Sequence, residues 1–162
     1  MDSIKAIKGL SPHMGKIQHL SIYVNGVRLD ELVAQITQQQ DYLGLIPAWL
    51  NYYDEDFTPS IKEKQYVWEQ TKLTGDTRVL PILLCPDDFD FGCTVVVVEV
   101  TDSDDKVIWS KFGIDITEFD PSDNDLPKYI GVRVNWFECP GPYIFCKTEY
   151  LECIREFQNS NS

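Results

Sequence analysis

Apolar and polar residues alternate along several stretches of the chain, and this alternation predicts strands. The first stretch, residues 16–24, reads KIQHLSIYV, with apolar residues at every second position of its second half. This period of two is typical of a half-buried strand. Asn25 and Gly26 follow directly, and this pair predicts a tight hairpin turn before a short return strand. Asp30 is then placed to cap a helix over residues 30–40.

The same pattern recurs in the second half of the chain. Pro81 has no backbone N–H, so we expect it at a sheet edge or a bulge. CTVVVVEV (residues 93–100) is β-branched on both faces, which favours a central position. In residues 128–137, alternation predicts one inward face made of Ile130, Val132, Val134 and Trp136. The strands predicted in this half are residues 77–85, 93–100, 106–116, 128–137 and 143–146.

The remaining segments predict turns and helices. Residues 41–60 are aromatic and broken by prolines, which indicates a loop or a short helical piece. Residues 62–73 are ambiguous, because Tyr66 and Trp68 alternate as in a strand while Glu, Lys and Gln favour a helix; we predict a strand. Residues 148–157 predict an amphipathic helix. Its inward side chains would be Tyr150, Leu151, Ile154 and Phe157.

Together these elements predict an α+β fold: a single domain over residues 1–162, with a mostly antiparallel sheet of six or seven strands and about two helices. The tail, residues 158–162, is polar, and we expect it to be frayed.

Acidic residues are concentrated in one quarter of the chain. The net charge is −12, and residues 85–125 contain twelve acidic and two basic residues. Nucleic-acid binding requires concentrated Lys and Arg, so this charge disfavours it. An anionic membrane surface would be repelled as well. The charge suits a basic protein partner or cations, and the alternative is that it only keeps the protein soluble.

Five cysteines and the N-terminal segment bear on the compartment. No pair of cysteines has the CxxC spacing, no stretch is as long as the ~20 apolar residues of a membrane span, and residues 1–15 lack a continuous apolar run. We therefore expect a cytoplasmic protein with no membrane partner and reduced, buried thiols. The cysteines are Cys85, Cys93, Cys139, Cys146 and Cys153.

Motifs for catalysis and for metal binding are weak. The chain has no nucleophile elbow, phosphate-binding loop or zinc-binding helix motif. Aspartates that surround Cys85 and Cys93 would disfavour a reactive thiolate. The carboxylates that remain candidates for a hydrolase are Asp87, Asp88, Asp90 and Asp115. Three acidic segments, residues 88–92, 102–105 and 120–125, fit a calcium loop only in part. We predict no cofactor and no metal.

Two segments combine acidic residues with aromatic ones, as protein interfaces do. They are YYDEDF (residues 52–57) and DDFDF (residues 87–91). Acidic residues would steer a basic partner and aromatic side chains would supply the buried contact. The alternative is that the aromatic rings pack inward and the acids are merely solvated. The residues that we predict to bind a partner are Tyr52, Tyr53, Asp54, Glu55, Asp56, Asp87, Asp88, Phe89, Asp90 and Phe91.

The stretches VLPILLCPDDFDFGCTVVVVEV (residues 79–100) and SIYVNGVRLDELV (residues 21–33) resemble the immunity proteins of bacterial polymorphic toxin and contact-dependent inhibition systems. The resemblance implies a small cytoplasmic α+β protein that is not an enzyme and that blocks a cognate toxin domain, often a basic nuclease. Its Asp and Glu side chains would pair with the Lys and Arg that hold phosphate. Two alternatives stay open: an aspartate-based metal-binding or hydrolytic enzyme, and a non-catalytic adaptor.

Overall fold

Three helices and two antiparallel sheets form the described part of the chain, which confirms the predicted α+β class. The structure is a computed structural model, and it describes residues 1–10, 18–50, 58–86, 94–117, 130–138 and 141–159. Buried residues from both sheets and all three helices belong to one contiguous hydrophobic cluster. The division of the strands between two sheets was not predicted.

The first sheet has three strands, in the order β1 (Ile4–Leu10), β2 (Gln18–Val24) and β3 (Val27–Arg28). β2 confirms the strand predicted at residues 16–24 over its described part. The hairpin turn is confirmed too, since Asn25 and Gly26 both have positive φ, at 52° and 81°. β1 was missed because, of its side chains that the structure describes, Ile4 is the one large apolar residue in the buried core, while both lysines are exposed.

Helix α1 (Leu29–Thr37) follows β3 directly. The prediction that Asp30 caps this helix is wrong, because Asp30 lies inside the first turn and is only 2% exposed. Arg28 occupies the capping position, and its side chain makes no capping hydrogen bond. The helix ends at Thr37, because the left-handed backbone of the next residue, Gln38 (φ 55°), stops the α-helical pattern.

Helix α2 (Thr58–Thr71) stands where we predicted a strand over residues 62–73, so that prediction is wrong. Among the side chains described in residues 61–71, the buried ones are spaced as on one face of a helix, and they are Glu63, Lys64, Val67 and Thr71. Because three of these four are polar, the apolar period that predicts an amphipathic helix is weak. The helix propensity of Glu, Lys and Gln indicated the correct element. The loop or short helical piece predicted over residues 41–60 is confirmed only in part: Gln40–Tyr42 form a 3-10 helix, but Ile46–Pro47 are a strand, α2 begins at Thr58, and residues 51–57 lie outside the described residues.

The second sheet has the order β4-β5-β6-β7-β8, and a sixth strand, β9, also pairs with β7. β8 pairs with the C-terminal end of β7 and β9 with its N-terminal end. Pro81 adjoins a register shift between β5 and β6, as predicted. β6 lies in the middle of the sheet with five of its valines buried, which also confirms the prediction. The strands are β4 (Ile46–Pro47), β5 (Arg78–Leu84), β6 (Val95–Asp102), β7 (Lys106–Asp115), β8 (Val134–Trp136) and β9 (Tyr143–Cys146).

The strand predicted over residues 128–137 is confirmed only for β8. Residues 130–133 form a turn, and Val132 is 66% exposed, so its predicted inward orientation is wrong. β8 packs closely on β7 at Gly113, which pairs with Trp136. A Cβ on Gly113 would lie 2.5 Å from Val134 Cγ1 and 2.8 Å from the Trp136 ring, so this contact requires glycine.

Aromatic rings pack edge to face in the middle of the core. Trp109 contacts the rings of Trp49, Phe112, Phe145 and Tyr150, and its indole N–H donates to the Tyr150 hydroxyl (3.2 Å). Tyr150 comes from helix α3 (Lys147–Asn159), which confirms the predicted C-terminal helix. The predicted inward position of Leu151 is wrong, since Leu151 is 38% exposed.

Candidate functional site

All ten residues that the sequence predicts to bind a partner lie outside the described residues. Tyr52, Tyr53, Asp54, Glu55 and Asp56 fall in the segment 51–57, and Asp87, Asp88, Phe89, Asp90 and Phe91 fall in the segment 87–93. Their role therefore stays a prediction. The described strands do establish where the second segment is attached to the fold.

Strand register brings the attachment points of two acidic connections to one end of the second sheet. Leu84, at the end of β5, pairs with Val95 at the start of β6, and Asp115, at the end of β7, pairs with Val134 at the start of β8. Four adjacent strands at a spacing of about 4.8 Å place these points within about 15 Å of one another. The two connections, residues 85–94 and 116–133, contain seven acidic and two basic residues. We call this end of the sheet the acidic end.

Hydrogen bonds hold the turn at residues 130–133 against the acidic end. Asp115 Oδ1 accepts from the Thr117 hydroxyl (2.8 Å) and from Gly131 N–H (3.0 Å). The Thr117 oxygen in turn accepts from Arg133 N–H (3.0 Å). Asp115, one of the carboxylates considered for hydrolysis, therefore stabilises the turn at residues 130–133.

Two apolar side chains are exposed at the acidic end. Ile116 is 45% exposed and Val132 is 66% exposed, and Ile116 N–H donates to the carbonyl of Arg133 (2.9 Å). Protein interfaces combine apolar side chains at the centre with polar or charged side chains at the rim, and Ile116 directly follows Asp115 at the end of β7. Both residues were missed from the sequence: the alternation around Val132 indicated a buried strand face, and no local pattern marks Ile116.

A buried ion pair joins α1 to the first sheet. Asp30 accepts from Arg28 Nε (2.5 Å) and Nη2 (3.1 Å), and its Oδ2 also accepts from Gly44 N–H (2.8 Å). The hydrogen bond with Asp30 raises the pKa of Arg28 above its ordinary value. His19 lies beside the pair; its Nδ1 donates to the Leu20 carbonyl (2.8 Å), and Nε2 is buried with no hydrogen-bond partner among the described residues. The adjoining cavity, about 10 Å³, has room for a single water, so this cluster is structural.

Lys64 is the one buried lysine among the described residues. Burial lowers its pKa from 10.5 to about 7, and Nζ donates to the Ala48 carbonyl (3.1 Å). A neutral amine is a nucleophile, but this one is 6% exposed and therefore closed to a dissolved substrate.

The cysteines differ in burial. Cys153 is buried as predicted, and burial raises the pKa of its thiol to about 12, so it is protonated at neutral pH. Cys85 is half-buried, whereas Cys146 is exposed, which contradicts the prediction. Cys93 and Cys139 lie outside the described residues. None of the three described thiols is in a disulfide.

The acidic segment at residues 102–105 covers the end of β6 and the turn to β7, and its first residue, Asp102, forms two ion pairs. Asp102 is buried between Arg78 Nη1 (3.6 Å) and Lys147 Nζ (3.5 Å), and Asp104 and Asp105 are exposed in the β6–β7 turn. Across the described ranges, no three His, Cys, Asp or Glu side chains converge as metal ligands would. The other two acidic segments that fit a calcium loop in part lie within residues 87–93 and 118–129, which are not described.

None of the helices in the described part of the chain is both long enough and apolar enough to cross a membrane. Comparison of the chain with protein-family models, with curated proteins and with solved structures gave no match.

Proposed function

We propose that this protein is an immunity-type binding protein that neutralises a cognate basic toxin domain by masking its active site, without catalysing a reaction. One observation carries this proposal. At the acidic end, two connections with seven acidic and two basic residues are attached beside the exposed side chains of Ile116 and Val132.

The distribution of charge favours binding over mere solubility. Residues 85–125 hold twelve of the 26 acidic residues but only two of the 14 basic residues, which amounts to −10 of the net −12. Acidity that served solubility alone would have no reason to be concentrated in one quarter of the chain. Concentrated charge creates a local field that attracts a partner of opposite sign.

The carboxylates and the exposed apolar side chains of the acidic end would contribute to such an interface in different ways. Carboxylates accelerate encounter with a basic partner, from about 10⁵–10⁶ M⁻¹s⁻¹ without steering to as much as about 10⁸–10⁹ M⁻¹s⁻¹ with it. Exposed apolar side chains slow dissociation by burying area once the partner is bound. A nuclease that holds phosphate with Lys and Arg offers the matching surface, since carboxylates form charge-assisted hydrogen bonds with these groups.

A growth-rescue experiment tests the proposed function. The C-terminal region encoded by the neighbouring upstream gene is expressed with and without this protein, and viable counts are followed. We expect toxicity that only this protein relieves, and co-purification that weakens at high salt. Absence of rescue refutes the proposal. Stabilisation by a divalent cation in a thermal-shift assay would then support the metal-dependent alternative, and no stabilisation would support an adaptor.

Two triple variants locate the interface. Asp87, Asp88 and Asp90 are changed to Asn in one variant, and the exposed Asp76, Asp104 and Asp105 are changed to Asn in the other, which alters net charge equally at the opposite end of the sheet. The first variant should bind the toxin domain at least about tenfold more weakly, and the second should be nearly unaffected. Equal losses in both would mean that net charge alone acts, and the acidic end would not be the interface.

A matched apolar pair tests the anchor. Ile116→Ser should increase the dissociation rate, while Ile7→Ser, at a side chain that is 44% exposed on β1, should not. Equal dissociation rates for the two variants would contradict a contact at Ile116.

A further inference from the structure

A groove of about 740 Å³ lies between the C-terminal turn of α2 and the length of α3, and we call it the α2–α3 groove. Its apolar surface comes from Trp68, Leu73, Leu151 and Ile154. Leu151, which we predicted to point inward, is one of the exposed side chains that line this groove. The other lining residues are Thr71, Lys72, Lys147, Arg155 and Gln158.

Every charged residue that lines the groove is basic, although the chain as a whole has a net charge of −12. Lys147, Leu151 and Arg155 recur at every fourth residue, so they lie on one side of α3. The acidic residues of α3 do not line the groove, and they are Glu149, Glu152 and Glu156. Glu149 instead accepts from Ile4 N–H (2.7 Å). Helix α3 therefore separates its charges, with the basic ones towards the groove.

Ion pairs join the two walls of the groove without cancelling its positive charge. Asp102 bridges Arg78 and Lys147 (3.6 and 3.5 Å), so one carboxylate compensates two cations. Lys72 pairs with Glu69 (2.9 Å). Arg155 is exposed and forms no salt bridge with any residue that the structure describes. Arg78 also donates to carbonyls at the C-terminal end of α2, including that of Gln70 (2.8 Å), which holds this wall in place.

The α2–α3 groove begins at the sheet end opposite the acidic end. Lys147 N–H donates to the carbonyl of Asp105 (2.9 Å) in the β6–β7 turn. The acidic end lies at the far end of β7, whose ten residues span about 30 Å at the usual rise per residue. A ligand in the groove would therefore leave the acidic end accessible.

We propose that the α2–α3 groove docks an acidic, amphipathic helical segment of a second partner protein. Apolar side chains of that segment contact Trp68 and Leu151, and its carboxylates contact Lys72 and Arg155. From Lys147 to Gln158 the groove follows α3 for about 16 Å, the length of roughly three helical turns. Binding of an amphipathic helix along an apolar groove with a charged rim is a recurrent mode of peptide recognition. This site is independent of the proposed toxin-binding function.

Two synthetic peptides of equal length test the groove with the full-length protein. One is an amphipathic helix with a leucine face and a glutamate face, and the other carries glutamine in place of each glutamate, so that neither is basic enough to be attracted to the acidic end. Fluorescence anisotropy of the labelled peptides measures affinity. We expect the acidic peptide to bind and the neutral peptide to bind at least tenfold more weakly. Equal binding of both peptides, or no binding of the acidic one, overturns the proposal.

Charge-reversal variants test whether the acidic peptide binds in the α2–α3 groove. Lys72→Glu with Arg155→Glu should weaken the acidic peptide at least tenfold, and Leu151→Ser should weaken it further. The control, Lys8→Glu with Lys62→Glu, makes the same change in net charge at exposed residues outside the groove and should leave affinity within twofold. Far-ultraviolet circular dichroism checks that all variants are folded. Equal losses in variant and control overturn the proposal, as does sedimentation evidence that a second copy of this chain occupies the groove.

Discussion

The loss in the free energy of unfolding caused by Asp30→Ala shows whether Asp30 acts as a helix cap or as the partner of Arg28 in a buried ion pair. Loss of a helix cap costs about 1 kcal/mol. Removing one partner of a buried ion pair costs about 3–5 kcal/mol, because the other partner is left uncompensated. In this structure Asp30 accepts three hydrogen bonds, two from Arg28 and one from Gly44 N–H. The Arg28 side chain is 23% exposed and regains some hydration, so we expect about 3 kcal/mol, the lower end of that range.

Urea denaturation of the purified variants measures this effect. A loss of about 3 kcal/mol should also lower Tm by about 6–12 °C in a chain of this length. Glu31→Ala is the matched control, because Glu31 neighbours Asp30 and contacts Arg28 (3.4 Å) but is 47% exposed. Its loss should cost less than about 1 kcal/mol. A double-mutant cycle of Asp30→Ala with Arg28→Ala should show a coupling of about 1–3 kcal/mol. Equal costs for Asp30→Ala and Glu31→Ala, without coupling to Arg28, would refute the reasoning.

Three further predictions follow from the core. Gly113→Ala should destabilise the protein by about 1–3 kcal/mol in a urea titration, because its Cβ would overlap β8. Gly9→Ala, where no atom of the described residues lies within 4 Å of the added Cβ, should be neutral in the same titration. Between pH 7 and 10.5 the unfolded chain binds a proton at Lys64 that the folded chain lacks, so the free energy of unfolding of the natural protein rises with pH. Lys64→Met should reduce this rise, measured by urea denaturation at several pH values. An unchanged slope in the variant would contradict a pKa of about 7 for Lys64. Brief treatment of the native protein with iodoacetamide, read by peptide mass spectrometry, should modify Cys146 and spare Cys153 until urea is added; early labelling of Cys153 would contradict its burial.

The acidic end combines a feature that the sequence shows with one that it does not. Concentration of acidic residues within 85–125 can be counted directly from the sequence. Convergence of two acidic connections depends on β5, β6, β7 and β8 being neighbours in the same sheet, which is a matter of long-range pairing. Exposure of Val132 depends on the Asp115 and Thr117 hydrogen bonds that hold its turn, and those residues are about fifteen positions away along the chain.

Local patterns by themselves determined the α+β class, the hairpin at Asn25-Gly26, the central place of β6 and the amphipathic C-terminal helix. Each of these rests on a short-range period or on turn chemistry that neighbouring residues settle. Tertiary structure alone decided the rest: helix α2 buries a polar face, Asp30 is an ion-pair partner, and Leu151 lines a groove. In each case the partner is distant in sequence or polar, so hydrophobic periodicity contains no signal for it.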